Sequence, residues 1–164
     1  MEYKSQILKT PISKEFVGTL FTPDSQKQFP AVIVLPGSDG GIPESIARHL
    51  ASFGYVVFAL GYFGKDGLPQ FLENIPLEYF QKAITSLKSM PQVKESAVSL
   101  LGYSRGGELA LLLGSLFPQL INAIIAFVPC SRVCGAFPYI NRPAWFFNNQ
   151  PIVPFVNGLM SQMV

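Results

Sequence analysis

The sequence predicts an α/β fold, a mainly parallel β-sheet flanked by helices in three layers. Three observations carry that reading. Short, uninterrupted apolar runs recur along the chain, segments of helical periodicity separate them, and glycine- and proline-rich stretches punctuate the two. An apolar run without alternation marks a strand covered on both faces. Strands alternating with helices of ten or more residues imply βαβ crossovers. The chain has 164 residues, 49% of them hydrophobic and 13% charged. That suits one domain, residues 1–164, able to bury roughly 70% of its unfolded surface. It excludes a disordered, collagen-like or low-complexity protein.

Each element can be justified in turn. Residues 3–9 and 16–22 alternate loosely and are expected to pair as an antiparallel edge, with Thr22-Pro23-Asp24-Ser25 as a turn. Ala31–Leu35 is a buried strand, followed by the glycine-rich loop Pro36-Gly37-Ser38-Asp39-Gly40-Gly41. Pro43 and Glu44 suit a first helical turn, and that helix runs to about Ser52 before Gly54 stops it. Tyr55–Leu60 is the next buried strand. In Pro76–Ser89 the apolar residues Leu77, Phe80, Ala83, Ile84 and Leu87 form one helical stripe. Ala97–Leu101 reads as a third strand, Gly106–Phe117 as a third helix and Ile121–Phe127 as a fourth strand.

Charge and cysteine content narrow the function classes. Twelve Lys and Arg stand against ten Asp and Glu, a net charge of +2 that gives no basic stripe for nucleic acid. The start, Met1-Glu2-Tyr3-Lys4, leads into polar residues rather than the apolar core of a signal peptide. Leu109–Ser131 carries no formal charge and nominally reaches membrane-spanning length. Pro118, Gln119 and Asn122 interrupt it, so a buried helix followed by a buried strand is expected instead of a span. Cys130 and Cys134 form a C-x-x-x-C pair with no further Cys or His nearby. They read as reduced cytosolic thiols, and neither a metal nor a cofactor is expected.

Gly102-Tyr103-Ser104-Arg105-Gly106 matches G-x-S-x-G. The motif follows a buried strand and opens an apolar helix, the strand–turn–helix setting of a nucleophile elbow. Flanking glycines leave room in a turn too tight for side chains. The helix N-terminus also favours negative charge developing beside it. Attack by the Ser104 hydroxyl on an acyl carbon requires two oxyanion donors. The Arg105 backbone N–H is one. The second is expected from the Pro36–Gly41 loop, with the Ser38 N–H preferred and Asp39 or Gly40 as alternatives. That loop has neither the G-x-G-x-x-G nor the P-loop pattern of a phosphate site.

A nucleophilic serine needs a base, usually His, oriented by a carboxylate. No Asp, Glu or His occurs after Glu108, and residues 109–164 hold only Arg132 and Arg142 as charged groups. The single histidine, His49, lies about two turns into the first helix, about 9 Å of rise from the loop end of the sheet. A helix-surface position is expected for it. Asp39, Asp66, Glu73 and Glu108 do not fill the missing places, and Glu108 is expected to favour the N-terminus of its own helix.

At these residues the chain resembles the C-terminal domain of the acyl-CoA thioester hydrolase and bile acid-CoA:amino acid N-acyltransferase family, and more distantly dienelactone hydrolases. The segments that carry the resemblance are Val17–Pro23, Gly54–Gly64 with Leu68-Pro69, Ile75–Phe80 and Leu100–Leu111. They are collinear and cover about residues 16 to 131. The resemblance implies an α/β-hydrolase fold, and attack on an acyl-CoA thioester to give an acyl-enzyme. Ser104 stands at the nucleophile position, where serine implies a hydrolase and cysteine a conjugating enzyme. It also implies an acid and a histidine on later strands and a β-sandwich domain before the catalytic one, none with a counterpart here.

Two expectations follow. One is a cytoplasmic hydrolase of small acyl-thioester or ester substrates. The other is an incomplete domain, truncated at its C-terminus, that acts only with a complementing C-terminal fragment or not at all. The second predicts an exposed apolar sheet edge and concentration-dependent self-association. The almost uncharged last 30 residues read as a connection leading to an element beyond them.

Overall fold

The computed structural model describes residues 6–139, 141–153 and 155. The Met1–Lys4 segment, residues 3–5 of the first expected strand and residues 156–164 of the uncharged tail lie outside them. The elements, in order, are β1 (Ile7–Ser13), β2 (Val17–Pro23), β3 (Phe29–Leu35), α1 (Glu44–Ala51), β4 (Val56–Gly61), β5 (Ile75–Pro76), α2 (Leu77–Lys88), β6 (Val93–Tyr103), α3 (Arg105–Leu116), β7 (Ala123–Phe127), β8 (Trp145–Phe147) and β9 (Gln150–Pro151). Among the described residues one sheet has the order β1-β2-β4-β3-β6-β7, and β5, β8 and β9 form a smaller one. Strands β4, β3, β6 and β7 run parallel, while the β1–β2 hairpin adds antiparallel to β4. The expected α/β architecture is present.

Burial follows the apolar pattern. Ala31–Leu35 and Val56–Leu60 are buried throughout, and all five stripe residues of α2 face the core. Two clusters result, one on each face of the sheet. The larger holds Phe58, Tyr62, Phe80, Leu100 and Trp145, and the smaller packs Ala47 and Ala51 of α1 on Val32, Val34 and Val57. Leu109–Ser131 divides into a helix, α3, and a strand, β7, as expected. Strand β7 is not the buried strand expected, because it stands last in the sheet order and Ala123, Ile125 and Phe127 are exposed. Among the described residues no helix is long and apolar enough to cross a membrane.

Three further expectations need correction. The antiparallel hairpin exists, but β1 lies four residues later than expected and the chain reverses between Ser13 and Val17. Pro11 sits inside β1, which an edge strand tolerates because the missing N–H can face outward. Strand β6 begins at Val93, not Ala97, because Phe29 pairs with Val93 before a register shift restores Ala31 to Val98. The tail is not a bare connection. Bridges at Leu72–Phe137 and Gly135–Pro143 fold it back, and β8 pairs with β5 at Ile75–Trp145, leaving Trp145 fully buried. Its segments are too short and irregular to show a period, so only the tryptophan signalled burial.

The far edge behaves as expected. Among the described residues β7 pairs with β6 alone, and Ile125, Phe127 and Val128 are 46%, 58% and 84% exposed. At the opposite edge Glu44, in the first turn of α1, accepts hydrogen bonds from Lys9 Nζ (2.7 Å) and Thr19 Oγ1 (2.6 Å). Those bonds hold its carboxyl below the ordinary value of 4.5. The linked stability is therefore present above the unfolded pKa and lost as pH falls through the lower folded one. Glu44→Gln is expected to flatten that part of the acid limb, read by urea melts from neutral pH down through the carboxylate range. An unchanged limb would place the acid sensitivity elsewhere.

Candidate active site

Ser104 alone makes the turn between β6 and α3, with φ 51° and ψ −119°. A non-glycine residue holds such a conformation only where its surroundings over-determine it, at a cost of about 1–3 kcal/mol. Here the Ser104 N–H donates to the Phe127 carbonyl (2.9 Å), and its own carbonyl accepts from the N–H groups of Gly107 (3.0 Å) and Glu108 (3.1 Å). The motif glycines have separate reasons. A Cβ on Gly102 would fall 2.0 Å from the Gly106 carbonyl oxygen, and one on Gly106 would fall 2.4 Å from those of Leu35 and Pro36. Backbone carbonyls cannot swing aside as a side-chain tip can. Gly106→Ala is accordingly expected to destabilise by about 3 kcal/mol or more, measured by urea unfolding. A loss under about 0.5 kcal/mol, within the range of ordinary surface changes, would contradict the close approach.

The glycine-rich loop leaves β3 where β3 lies parallel to β6, with Leu35 opposite Gly102. Loop and elbow thus emerge at one end of the sheet. A Cβ on Gly37 would stand 3.3 Å from Ser104 Cβ and 3.2 Å from the Tyr103 ring. The buried Tyr62 hydroxyl donates to the Pro36 carbonyl (2.7 Å), and the Tyr103 hydroxyl donates to Asp39 Oδ2 (3.4 Å). Gly40 N–H is committed to the Gly37 carbonyl (3.1 Å), which removes it from the three candidate donors and leaves Ser38 and Asp39. Arg105 is the first residue of α3, so its N–H belongs to the amides an α-helix leaves without an intrahelical acceptor.

The side chain of Arg105 has a second role that the sequence did not reveal. Arg105 and Glu108 are both 3% exposed, with Nη1 and Oε2 3.0 Å apart. Arg105 Nη2 donates to the carbonyls of Cys134 (3.1 Å) and Gly135 (2.9 Å). Glu108 Oε1 accepts from the Cys134 N–H (3.1 Å) and from Trp145 Nε1 (2.9 Å). Glu108 does stand in the first turn of α3, but its carboxylate faces the interior and fastens the tail instead of merely serving the helix terminus. Burial pushes its carboxyl above the ordinary range, against the pull of Arg105 and of the Trp145 and Cys134 N–H donors. A Glu–Arg pair three residues apart and a tryptophan were all legible, but not their meeting.

The remaining candidates are not brought to Ser104. His49 is exposed on α1, edge-on to Phe53 at 5.1 Å, as expected. Glu73 pairs with Arg142 (2.8 Å), and Asp66 is exposed. Among the described residues no carboxylate or imidazole hydrogen-bonds the Ser104 hydroxyl. An apolar cavity of about 190 Å³, lined by Ile12, Phe16, Leu20, Phe58, Leu87 and Met90, lies under the β1–β2 hairpin and includes neither Ser104 nor Ser38.

Residues 75–161 match the model of the BAAT / acyl-CoA thioester hydrolase C-terminal family. The chain belongs to this family. The BAAT / acyl-CoA thioester hydrolase C-terminal match starts at β5 and so takes in α2, the elbow and the tail. Human acyl-coenzyme A thioesterase 1 is 38% identical over 122 residues, 74% of this chain and 29% of that protein. Mouse acyl-coenzyme A thioesterase 5 is 43% identical over 107 residues, 65% of this chain and 25% of that protein. The chain thus spans less than a third of the length of these relatives. Among solved structures, MGS-M1, an α/β hydrolase enzyme from a Medee basin deep-sea metagenome library, aligns with a TM-score of 0.62 at 25% identity. That alignment covers 91% of this chain and 64% of that one. A dienelactone hydrolase-like promiscuous phosphotriesterase from metagenomic libraries aligns with a TM-score of 0.58 at 18% identity, covering 76% and 59%. The α/β-hydrolase fold expected of this family is the one observed.

Proposed function

We propose that Ser104 is the nucleophile of a hydrolase acting on acyl-CoA thioesters or carboxylic esters. The observation that carries the reading is the Ser104 backbone, held at φ 51° between β6 and α3 with the Gly37 loop against it. In this reading Ser104 Oγ attacks the acyl carbon and the carbonyl oxygen becomes an oxyanion. The N–H groups of Arg105 and Ser38 receive that charge. The oxyanion re-forms the carbonyl as the C–S or C–O bond breaks, and the CoA thiol or the alcohol leaves with the proton given up by Ser104 Oγ. Water then releases the acid and restores the Ser104 hydroxyl. The thioester substrate class rests on the family and on relatives named as acyl-coenzyme A thioesterases. Two unpaired cysteines suit a cytosolic setting.

One observation favours a second reading, a half-site completed by another chain. No Asp, Glu or His follows Glu108, and His49 is exposed on α1. The acid and base would then come from a complementing C-terminal fragment. Hydrolysis of palmitoyl-CoA and of a p-nitrophenyl ester separates the two. A rate above buffer that falls much more than tenfold in Ser104→Ala supports the enzyme. No rate in either protein overturns it for this chain alone and leaves the half-site.

A further inference from the structure

The C-x-x-x-C pair lacks zinc ligands within its own stretch of sequence, but the fold supplies one from elsewhere. Cys130 Sγ, Cys134 Sγ and a carboxylate oxygen of Glu108 all lie within 4.8 Å of one another. We propose that these three residues bind a thiophilic divalent cation, zinc by its chemistry, between the β7–β8 connection and the first turn of α3. The inference does not depend on the role of Ser104.

Four arguments support it. First, the distances fit. Zinc sits about 2.0–2.3 Å from oxygen and sulfur, which puts tetrahedral ligand atoms about 3.3–3.8 Å apart. Closing from 4.8 Å needs movements of about 1 Å, small for the half-buried Cys130 in an irregular loop. Second, a buried acceptor is to hand. Glu108 Oε2 accepts no hydrogen bond among the described residues, although Arg105 Nη1 lies 3.0 Å away. Arg105 already offsets the charge of that carboxylate, and an ionised carboxylate oxygen keeps a further lone pair to give an ion. Third, the charges balance. A divalent ion replacing two thiol protons, with Glu108 negative and Arg105 positive, leaves the cluster neutral, as it was with both thiols protonated. Fourth, two sulfurs select the ion. Calcium and magnesium prefer oxygen ligands, whereas zinc accepts thiolate and carboxylate together. The three protein ligands leave a fourth tetrahedral position for water.

The test uses the whole chain, reduced, stripped with a chelator and titrated with zinc or cobalt(II). One ion per chain is expected, with thiolate-to-cobalt charge-transfer bands and the strong visible absorption of tetrahedral cobalt. Cys130→Ser and Cys134→Ser should each weaken zinc binding by more than about 100-fold, beyond the 10–100-fold typical of outer-shell changes. Zinc should raise the melting temperature of the wild type and leave that of Cys130→Ser unmoved. Glu108→Gln tests the third ligand; Cys130 is only half-buried, so its variant keeps the test available if Glu108→Gln fails to fold. No uptake, an octahedral cobalt spectrum, or equal uptake by the double serine variant would overturn the site. A folded Glu108→Gln with unchanged affinity would remove Glu108 from it. A Cys130–Cys134 disulfide in the isolated protein, with no metal taken up after reduction, would replace it by a dithiol couple.

Discussion

Replacing Ser104 by alanine is expected to remove the part of thioester and ester hydrolysis that passes through its hydroxyl, a fall of far more than tenfold, while leaving the fold in place. The two effects separate because alanine keeps the β-carbon and so inherits the same φ of 51° at similar cost. The Ser104 backbone bonds to Phe127, Gly107 and Glu108 survive, and only Oγ is removed. Stability should therefore change by no more than about 0.5 kcal/mol. The size of the kinetic loss then diagnoses the base. A serine engaged by a base loses about 10⁶ in kcat on removal. Oxyanion donors and binding alone leave about 10³–10⁴ of acceleration that does not pass through the hydroxyl. A fall of less than tenfold would mean that the rate does not use Ser104, and would overturn it as the nucleophile.

Trp145→Ala should have the largest effect on stability of any single tail substitution. The indole is fully buried, with Tyr62 and Phe80 at ring-centroid distances of 5.8 Å and 6.3 Å. Its N–H donates to Glu108, and the Arg105 guanidinium lies over the ring at 5.7 Å. Truncation leaves a cavity and takes a hydrogen bond from a buried carboxylate. Tryptophan-to-alanine changes in cores cost about 3–5 kcal/mol. For a chain of this size that corresponds to a fall in Tm of roughly 6–20 °C, read by thermal unfolding followed in the far-UV. Trp145→Phe fills most of the space without the N–H, so it isolates the bond to Glu108 and should lose about 1–3 kcal/mol. A Tm change below about 2 °C for the alanine variant would show that the tail is not anchored through this residue.

Legibility in the sequence tracked periodicity and proximity. Buried parallel strands appear as unbroken apolar runs, so Ala31–Leu35 and Tyr55–Leu60 declared themselves, and the α2 stripe did the same at helical spacing. The turn at Ser104 is readable because its glycines and serine are adjacent, and the Pro36–Gly41 loop because it follows a recognisable strand. The hairpin is displaced because the first segment alternates too loosely to fix its register, and as an edge strand β1 can take in Pro11. The Arg105–Glu108–Trp145 cluster was hidden for a different reason. Its members come from one helix turn and from a residue 37 positions later, joined by a segment with no period. The same separation concealed Glu108 from the cysteine pair.

The pairing of β3 with β6 has a kinetic consequence. Leu35 meets Gly102, 67 positions further along the chain, the widest sequence separation between paired strands in the main sheet. Contacts of that range must meet the loop-closure entropy before they contribute, and they set the pace of folding. The Pro36–Gly41 loop follows one of these strands and Ser104 the other. No partly folded chain in which β3 and β6 remain apart can assemble the site. If Ser104 is the nucleophile proposed, its covalent labelling by a serine-directed phosphonate would serve as a clock, its amplitude during refolding counting the chains whose central strands have closed.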